Sequence, residues 1–182
     1  FFFFFSIKQL IKEQDGFKEV HIGLKDDEFE FVTKSIALHL DSNCRVGGIV
    51  EISESSIQYA EVIKQKISSI GAALIIDYGY IEPSYKSTLQ ALKNHKFHNV
   101  LKEIGEADIT AHVDFKSLAK VFDSFKADII PQGDFLIRCG IMARAAMLID
   151  KGADPKEIHE ALARLINNDQ MGQLFKVLEI TN

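Results

Sequence analysis

Five consecutive apolar residues, Ala72–Ile76, interrupt the mixture of apolar and polar positions along the chain. A short apolar run with no polar face is typical of a strand that is covered on both sides of a sheet. Asp77-Tyr78-Gly79 follows directly and predicts the end of that strand. Because ligands of open α/β sheets bind at the carboxyl ends of the strands, we expect a central strand that places Asp77 near the binding site.

The segment before this strand predicts an amphipathic helix. Ser53 is a suitable N-cap, and Glu54 lies in the first turn, where the helix dipole favours an acid. Apolar residues recur at helical spacing along one face: Ile57, Ala60, Ile63, Ile67 and Ile70. Gly71 suits the left-handed end of a helix. A helix followed at once by a buried strand indicates an α/β fold.

Turn and capping residues predict the remaining elements. Val20–Leu24 and Phe29–Val32 flank a polar turn and predict a β-hairpin. Asp114 and Asp154 each precede an apolar stripe and predict helix N-caps, the second followed by proline at the first helical position. The other predicted elements are helices at 89–101 and 135–149 and strands at 127–130 and 174–180.

The composition predicts one globular domain in a reducing compartment. The 182 residues, 47% of them hydrophobic and 26% charged, suffice for a substantial core. A net charge of -5 gives no general attraction to nucleic acid or anionic lipid, and no apolar run approaches the roughly 20 residues that cross a bilayer. Cys44 and Cys139 are too few and too far apart for a disulfide framework or a zinc cage.

The first five residues and the spacing of the glycines indicate whether a cofactor loop lies within residues 1–182. Phe1–Phe5 has no initiator Met and no basic leader, so we interpret it as a truncation point or the remnant of a buried strand. No two glycines are separated by a single residue, so the sequence has no Gly-x-Gly loop of the dinucleotide or P-loop type. We expect any such cofactor loop to lie outside residues 1–182.

Two carboxylates stand where predicted strands end. Asp77 follows the central strand and is either a site residue or a cap of the turn. Glu51 precedes the long helix and is likewise either a site carboxylate or a local cap. His95 and His98 have the spacing of a metal-binding pair, but no carboxylate lies one turn away, so we interpret them as a surface or half-buried pair.

A further cluster has chemical side chains at alternating positions: Asp108, Thr110, His112 and Asp114. In an extended segment, alternation would place all four on one face. Two carboxylates, a hydroxyl and an imidazole on one face suit proton transfer or cation binding. The alternative is a polar loop that caps the following helix.

An ordered series of short motifs runs through most of the chain. The series consists of Gly71-Ala72-Ala73-Leu74-Ile75-Ile76-Asp77-Tyr78-Gly79, Thr88-Leu89-Gln90, His95, Gly105-x-x-Asp108-Ile109-Thr110-Ala111-His112-Val113-Asp114-Phe115, Gln132-Gly133-x-Phe135-Leu136, Gly140-Ile141-x-x-Arg144 and Met171-Gly172-x-x-Phe175-Lys176-Val177-Leu178. From about Ile7 to Leu178, the sequence resembles the MidA family, the bacterial and mitochondrial relatives of the complex I assembly-factor methyltransferase.

The resemblance implies a class I, Rossmann-like methyltransferase sheet that uses S-adenosyl-L-methionine. It also implies that residues 1–182 are the C-terminal part of a single methyltransferase domain, truncated on its N-terminal side, because members carry their Gly-rich cofactor loop and ribose-binding acid upstream. Members carry an Asn-Glu-Phe-Phe-Asp-Ala-Leu-Pro-like motif before Ile7-Lys8-Gln9, and here its Asp and Pro positions fall on Phe3 and Ser6. We therefore expect weak or no cofactor binding by this chain alone.

The family reaction, in the mitochondrial branch, is methylation of arginine in a protein. A guanidinium nitrogen attacks the methyl carbon of a sulfonium, and carboxylates hold the guanidinium. On this basis we predict catalytic roles for Asp77, His112 and Asp114 and substrate-binding roles for Glu51, Tyr78, Asp108 and Thr110. We assign no residue to the cofactor and predict no metal.

The resemblance also implies partners and a location. The expected partner is a protein substrate, with a respiratory complex I subunit as the candidate, in the bacterial cytoplasm or the mitochondrial matrix. We expect no nucleic-acid partner and no membrane insertion, and the oligomeric state is not predicted. Two other interpretations stay open: a non-catalytic interaction or assembly-factor module, and a fragment completed in trans by a separate polypeptide that bears the cofactor loop.

Overall fold

The chain passes back and forth between two units in the computed structural model, which describes residues 2, 5–37, 40, 43–67 and 70–182. Unit 1 contains Phe1–Ser56 and Glu82–His112, and unit 2 contains Ile57–Ile81 and Val113–Asn182. The assignment of residues 1–182 to a single domain stays a prediction.

The secondary structure mixes strands and helices, as the sequence predicts. In chain order, the elements are β1 (Lys8–Glu13), β2 (Gly16–Lys25), β3 (Glu28–Ser35), β4 (Ile49–Ile52), α1 (Glu54–Lys66), β5 (Ala72–Tyr80), β6 (Gln90–Lys93), β7 (Lys96–His98), β8 (Asp108–Thr110), β9 (Val113–Asp114), α2 (Phe115–Val121), β10 (Lys126–Pro131), α3 (Gln132–Arg138), α4 (Ile141–Asp150), α5 (Pro155–Ile166), α6 (Met171–Leu174) and β11 (Phe175–Thr181).

The predicted hairpin is confirmed and forms part of a sheet in unit 1 with the strand order β3-β2-β1-β4. Asp26 and Asp27, in the turn between β2 and β3, have φ of 49° and 61°. Two left-handed residues give such a turn the twist that the flanking strands need. β1 pairs antiparallel with both β2 and β4, and the buried side chains of Leu10, Phe17 and Cys44 form a core cluster of this unit.

The predicted helix at 89–101 is wrong, because the segment forms a second hairpin. Asn94 and His95, between β6 and β7, have φ of 52° and 61°, which a right-handed helix cannot accommodate. β8 pairs with the other edge of β6, which gives a three-stranded sheet with the order β7-β6-β8. His98 lies on β7, with its Nε2 atom 3.2 Å from the Oε2 atom of Glu103.

The predicted amphipathic helix is confirmed as α1, but its predicted end is wrong. The backbone N–H of Ser56 donates to the Ser53 hydroxyl at 3.3 Å, as expected of an N-cap, and Ala60 is fully buried. The helix ends at Lys66 rather than at Gly71, and Ile70 is 95% exposed. Apolar spacing alone extends the pattern to Ile70, but that side chain gains no burial that would stabilise another helical turn.

The apolar run forms β5, an interior strand of the sheet of unit 2, whose order is β10-β11-β5-β9. β11 runs antiparallel along β5, and β9 joins its other edge in parallel through Gly79 and Tyr80. The strand therefore continues through the predicted stop at Asp77-Tyr78-Gly79. The interior position is confirmed, and the predicted strand end is wrong.

Burial alternates along β5, so the prediction of cover on both faces is wrong for this chain. Ile75 is 6% exposed, whereas Leu74 and Ile76 are 49% and 42% exposed. Side chains on the Ile75 face point to the side of α2, since a Cβ at Gly79 on this face would meet the Phe115 ring. An apolar run therefore predicts a strand that is covered on both faces, but the face of β5 that carries Leu74 and Ile76 is exposed.

Capping predictions hold in the helices of unit 2. Asp114 caps α2, and Asp154 caps α5 by accepting from the backbone N–H of Lys156 at 2.8 Å. The predicted single helix at 135–149 is instead two helices, α3 and α4. Gly140 between them has φ of 85°, the left-handed conformation that ends a helix.

None of the helices in the described part of the chain is long and apolar enough to cross a membrane.

The close approach of β5 to β9 depends on Gly79. A Cβ at this position would lie 2.2 Å from the carbonyl oxygen of Val113 and 2.9 Å from the Phe115 ring. We expect Gly79→Ala to lower the free energy of unfolding by about 1–3 kcal/mol, because backbone and core side chains must shift. Denaturant unfolding followed by circular dichroism measures the change.

Gly23→Ala is the matched control, since it also places a Cβ in a strand. There the nearest atoms are the Val32 methyl groups, at 2.9 and 3.3 Å, on an exposed hairpin that can adjust. We expect a smaller loss than for Gly79→Ala. Equal losses for the two variants would show that the approach at Gly79 is not special.

Candidate functional site

Asp77 lies on the covered face of β5 and is only 3% exposed. Its Oδ1 atom accepts the backbone N–H of Tyr78 at 2.9 Å. The antiparallel register sets Lys176 of β11 directly across from Asp77, so both side chains leave the same face of the sheet. Burial lowers the pKa of Lys176. The face therefore combines a buried carboxylate with a lysine that is easier to deprotonate than a surface lysine.

Asp114 acts as a helix cap with both of its oxygens. Oδ1 accepts the backbone N–H of Ser117 at 3.0 Å, and Oδ2 accepts the Ser117 hydroxyl at 2.7 Å. The parallel register pairs Asp114 with Tyr80, which lies on the opposite face of β5 from Asp77. The two carboxylates therefore do not share a face, and a catalytic role for Asp114 stays a prediction beside its structural one.

Tyr78 lies on the same face of β5 as Leu74 and Ile76. Its ring meets the Phe175 ring edge to face, with 5.6 Å between centroids and an interplanar angle of 76°. Such a contact fixes the orientation of the phenol ring. Tyr78 follows Asp77 in the sequence, but its side chain lies on the opposite face of the sheet.

Glu51 is the centre of a hydrogen-bond network in unit 1. Its Oε1 atom accepts from the Gln9 side-chain amide at 2.8 Å and from the Thr88 backbone N–H at 2.9 Å. Its Oε2 atom accepts the Thr88 hydroxyl at 2.5 Å. The Gln9 amide also donates to the Ser87 hydroxyl at 2.7 Å. Both oxygens of Glu51 thus serve the fold, and its role in substrate binding stays a prediction.

His112 joins this network through its main chain. Its backbone N–H donates to the Thr88 hydroxyl oxygen at 2.9 Å, and that same hydroxyl donates to Glu51. The network therefore links β1, β4, the segment before β6 and the end of unit 1. Glu51 and His112, which are far apart in sequence, are brought together in this way.

The expectation that the alternating cluster forms one polar face is wrong, because the segment is not one strand. β8 ends at Thr110 and pairs with β6 in unit 1, whereas β9 begins at Val113 and pairs with β5 in unit 2. Asp108 is exposed, while Thr110 is buried and its hydroxyl accepts from the Gln90 amide at 3.2 Å. The roles of these residues stay predictions.

A cleft of about 420 Å³ in unit 1 is lined by two of the buried polar residues, Gln9 and Thr110. Apolar side chains supply much of the remaining lining, among them Val20, Ile22 and Phe31. Concave apolar surfaces with a few polar groups are typical of binding sites. Of the predicted site residues, Thr110 is the one that lines this cleft.

The predicted site residues are divided between the two units. Unit 1 holds Glu51, Asp108, Thr110 and His112, and unit 2 holds Asp77, Tyr78 and Asp114. Within the described ranges, no group of three or more His, Cys, Asp or Glu side chains is placed to hold a metal ion.

Sequence reasoning missed Lys176, Thr88 and Gln9. Lys176 faces Asp77 only through the register of β11, and Thr88 and Gln9 reach Glu51 across 37 and 42 residues. Lys176 and Thr88 lie within the family motifs, and Gln9 lies in Ile7-Lys8-Gln9. Their place in these motifs is the sequence signal that could have identified them. No local pattern says which carboxylate a distant donor will meet.

Comparison with known proteins gives a consistent set of relatives. Residues 1–130 match the family described as "Putative S-adenosyl-L-methionine-dependent methyltransferase". The chain is 31% identical over 193 residues to the mitochondrial protein arginine methyltransferase NDUFAF7 of Xenopus tropicalis, which covers 99% of this chain and 45% of the relative. It is 29% identical to the human protein of the same name, over 96% of this chain and 42% of the relative.

A solved structure has the same fold. The crystal structure of a COG1565 superfamily member from Burkholderia thailandensis, bound to S-adenosyl-homocysteine, superimposes with a TM-score of 0.85 at 22% identity. The match covers 97% of this chain and 50% of the Burkholderia chain. The chain spans less than half the length of the two mitochondrial relatives.

The Thr88 hydroxyl connects Glu51 to His112, because it donates to the Glu51 carboxylate and accepts the backbone N–H of His112. We expect Thr88→Val to lower the free energy of unfolding by about 1–3 kcal/mol, because it removes a hydrogen bond from the half-buried Glu51 carboxylate and another from the His112 backbone N–H. Denaturant unfolding measures the change.

Thr181→Val, at the exposed end of β11, is the control and should be nearly neutral. A Thr88→Val protein as stable as the wild type would mean that the network does not hold unit 1 together.

Proposed function

The chain belongs to the family of S-adenosyl-L-methionine-dependent methyltransferases, and we propose that it forms the substrate-side part of a protein arginine methyltransferase. The resemblance found in the sequence and the Rossmann-like fold class are both confirmed. The arginine specificity is supported by the names of relatives that align with nearly all of this chain.

The cofactor of the family is S-adenosyl-L-methionine. The glycines of this chain do not form its usual loop. In the adjacent pair Gly47-Gly48, the two N–H groups donate to the carbonyl oxygens of Lys12 and Arg45, at 2.8 and 2.9 Å, and so serve the fold. The residues described here therefore do not fit the whole cofactor, and we propose that its cradle is supplied from outside residues 1–182.

Asp77 carries the proposal, as a buried carboxylate on the interior strand of a methyltransferase sheet. In the proposed reaction, a guanidinium nitrogen accepts a methyl group, which the cofactor supplies when bound. A carboxylate can accept two N–H groups of a guanidinium, hold its plane and leave one nitrogen directed at the methyl donor. Burial strengthens these charge-assisted bonds, because water does not compete for them.

The other predicted residues have subsidiary parts in the proposal. His112 would orient a carboxylate or take up the proton released from the guanidinium. Asp114 would act as a further catalytic carboxylate, and Glu51, Asp108, Thr110 and Tyr78 would bind the substrate, beyond the structural bonds that some of them already make. Lys176 joins this set, since its register sets it beside Asp77.

The partner and location follow from the named relatives. We propose a protein substrate, with a subunit of respiratory complex I as the candidate. The relatives are mitochondrial proteins, which supports the mitochondrial matrix as the location, with the bacterial cytoplasm as the alternative.

Titration calorimetry of this chain with S-adenosyl-L-methionine tests the proposal that the cofactor cradle is supplied from outside residues 1–182. We expect no saturable binding, because the glycine loop is not among its residues. Addition of a separate polypeptide that bears the loop should restore binding if the chain is completed in trans. Tight binding by the chain alone would contradict the proposal that the cradle comes from elsewhere.

Asp77→Asn tests the catalytic assignment when made at the aligned position of an intact family member. We expect transfer of labelled methyl to an arginine peptide to fall by about 10²–10⁴-fold with the fold retained, because the amide cannot hold a guanidinium by charge. Folding is checked by circular dichroism.

The control is Asp128→Asn, on β10 of the same sheet. Asp128 is exposed and lies 3.2 Å from Lys126, so its loss should leave turnover unchanged. Unaltered turnover in the Asp77 variant would remove Asp77 from the site.

A further inference from the structure

β3 is the edge strand of its sheet, and its free edge is long. Lys25 and Glu28 flank the two-residue turn, and such a pair exchanges both of its backbone hydrogen bonds. Counting along the strand, Glu30, Val32 and Lys34 also direct their backbone groups at β2. The groups of the intervening residues, Phe29, Phe31 and Thr33, therefore point away from the sheet. Among the described strands, β2 is the one partner of β3.

The same hairpin exposes a continuous apolar face. Ile22 pairs with Phe31 and Leu24 with Phe29, so all four side chains leave one side of the hairpin. They are 61%, 49%, 65% and 47% exposed, in that order. Scattered exposed apolar residues are ordinary, but a contiguous set beside unpaired backbone is a site for pairing with another chain.

The charges on the opposite face of β3 indicate which chain would fit. Glu28 stands near one end of the strand and Lys34 near the other. In an antiparallel pair of two β3 strands centred on Phe31, Glu28 lies opposite Lys34 of the second copy, and the reverse holds by symmetry. Phe31 then meets Phe31 of the second copy, and Phe29 meets Thr33. Centring on Glu30 would instead oppose two like charges.

We propose that two copies of this chain associate through β3, antiparallel and centred on Phe31. The outward backbone groups of Phe29, Phe31 and Thr33 then find partners, since they lie opposite Thr33, Phe31 and Phe29 of the second copy. The pairing joins two four-stranded sheets into one across a twofold axis. The two Phe31 side chains then lie side by side on one face of the joined sheet, and their contact removes part of each ring from water. Glu28, which lies 3.0 Å from Lys102 within its own chain, is exposed enough to contact Lys34 of the second copy as well.

Sedimentation equilibrium of the full chain over an about hundredfold range of concentration tests the association. We expect a shift from the mass of one chain to that of two. Glu28→Lys and Lys34→Glu should each weaken association by about tenfold, because each opposes like charges at two symmetric places. The double reversal restores opposite charges and should restore association.

Two controls separate this surface from others. Lys102→Ala removes the contact of Glu28 within the chain, and Glu157→Lys reverses an exposed charge on α5; both should associate like the wild type. A chain that stays monomeric at every concentration overturns the proposal. So does a dimer that ignores both single reversals.

A cross-link tests the register. In a Cys139→Ser background, which removes the exposed native thiol and leaves the buried Cys44, Phe31→Cys should form a disulfide between copies under mild oxidation. Circular dichroism shows that the variant is folded. Val32→Cys, one residue along, should not cross-link. Cross-linking at Val32 and not at Phe31 would overturn the pairing centred on Phe31.

Discussion

The arrangement of unit 1 depends on the carboxylate of Glu51 and the donors that surround it. Glu51 is half-buried, and a carboxylate that is partly removed from water is costly unless hydrogen bonds replace those it made with water. Here three donors from Gln9 and Thr88 do so, and they come from segments far apart in sequence. Because the Thr88 hydroxyl also accepts from the main chain of His112, the last residue of unit 1 is held at a defined place. The single carboxylate of Glu51 therefore fixes the relative positions of β1, β4 and the segments that contain Thr88 and His112.

Unit 2 has a different constraint, which is steric. Gly79 lets β9 approach the end of β5, and the same position brings the strand against Phe115 of α2. The buried side chains of Phe115, Leu118 and Phe122 then cover one face of the sheet. Asp77 lies on the same face of β5 as Gly79 and is itself buried. A buried carboxylate in such a place is suited to hold a cationic group by charge-assisted bonds.

Two apolar stretches of the described surface are exposed. The uncovered face of β5 carries Leu74 and Ile76, and the free edge of β3 carries Phe29 and Phe31. Several predicted site residues also have structural duties, as with Asp114 at its helix and Glu51 in its network. A residue that holds the fold can still touch a substrate, but its substitution then changes both properties. Asp77 is the one candidate carboxylate that is buried on the interior strand of the sheet of unit 2.

Local physics determined much of this structure. The Asp26-Asp27 turn, the caps at Asp114 and Asp154 and the amphipathic start of α1 depend on residues within one or two turns of one another, so the sequence alone predicts them. Motif order likewise sufficed for the family. The hairpin at Asn94-His95 and the break at Gly140 escaped prediction, because apolar spacing does not show where the backbone becomes left-handed. The end of α1 escaped prediction because apolar spacing does not show that the Ile70 side chain gains no burial. Only the tertiary structure decided that Lys176 faces Asp77, that Thr88 joins Glu51 to His112 and that the alternating cluster divides between two sheets. Those outcomes depend on strand register and on contacts between distant segments, and no local pattern of residues specifies either.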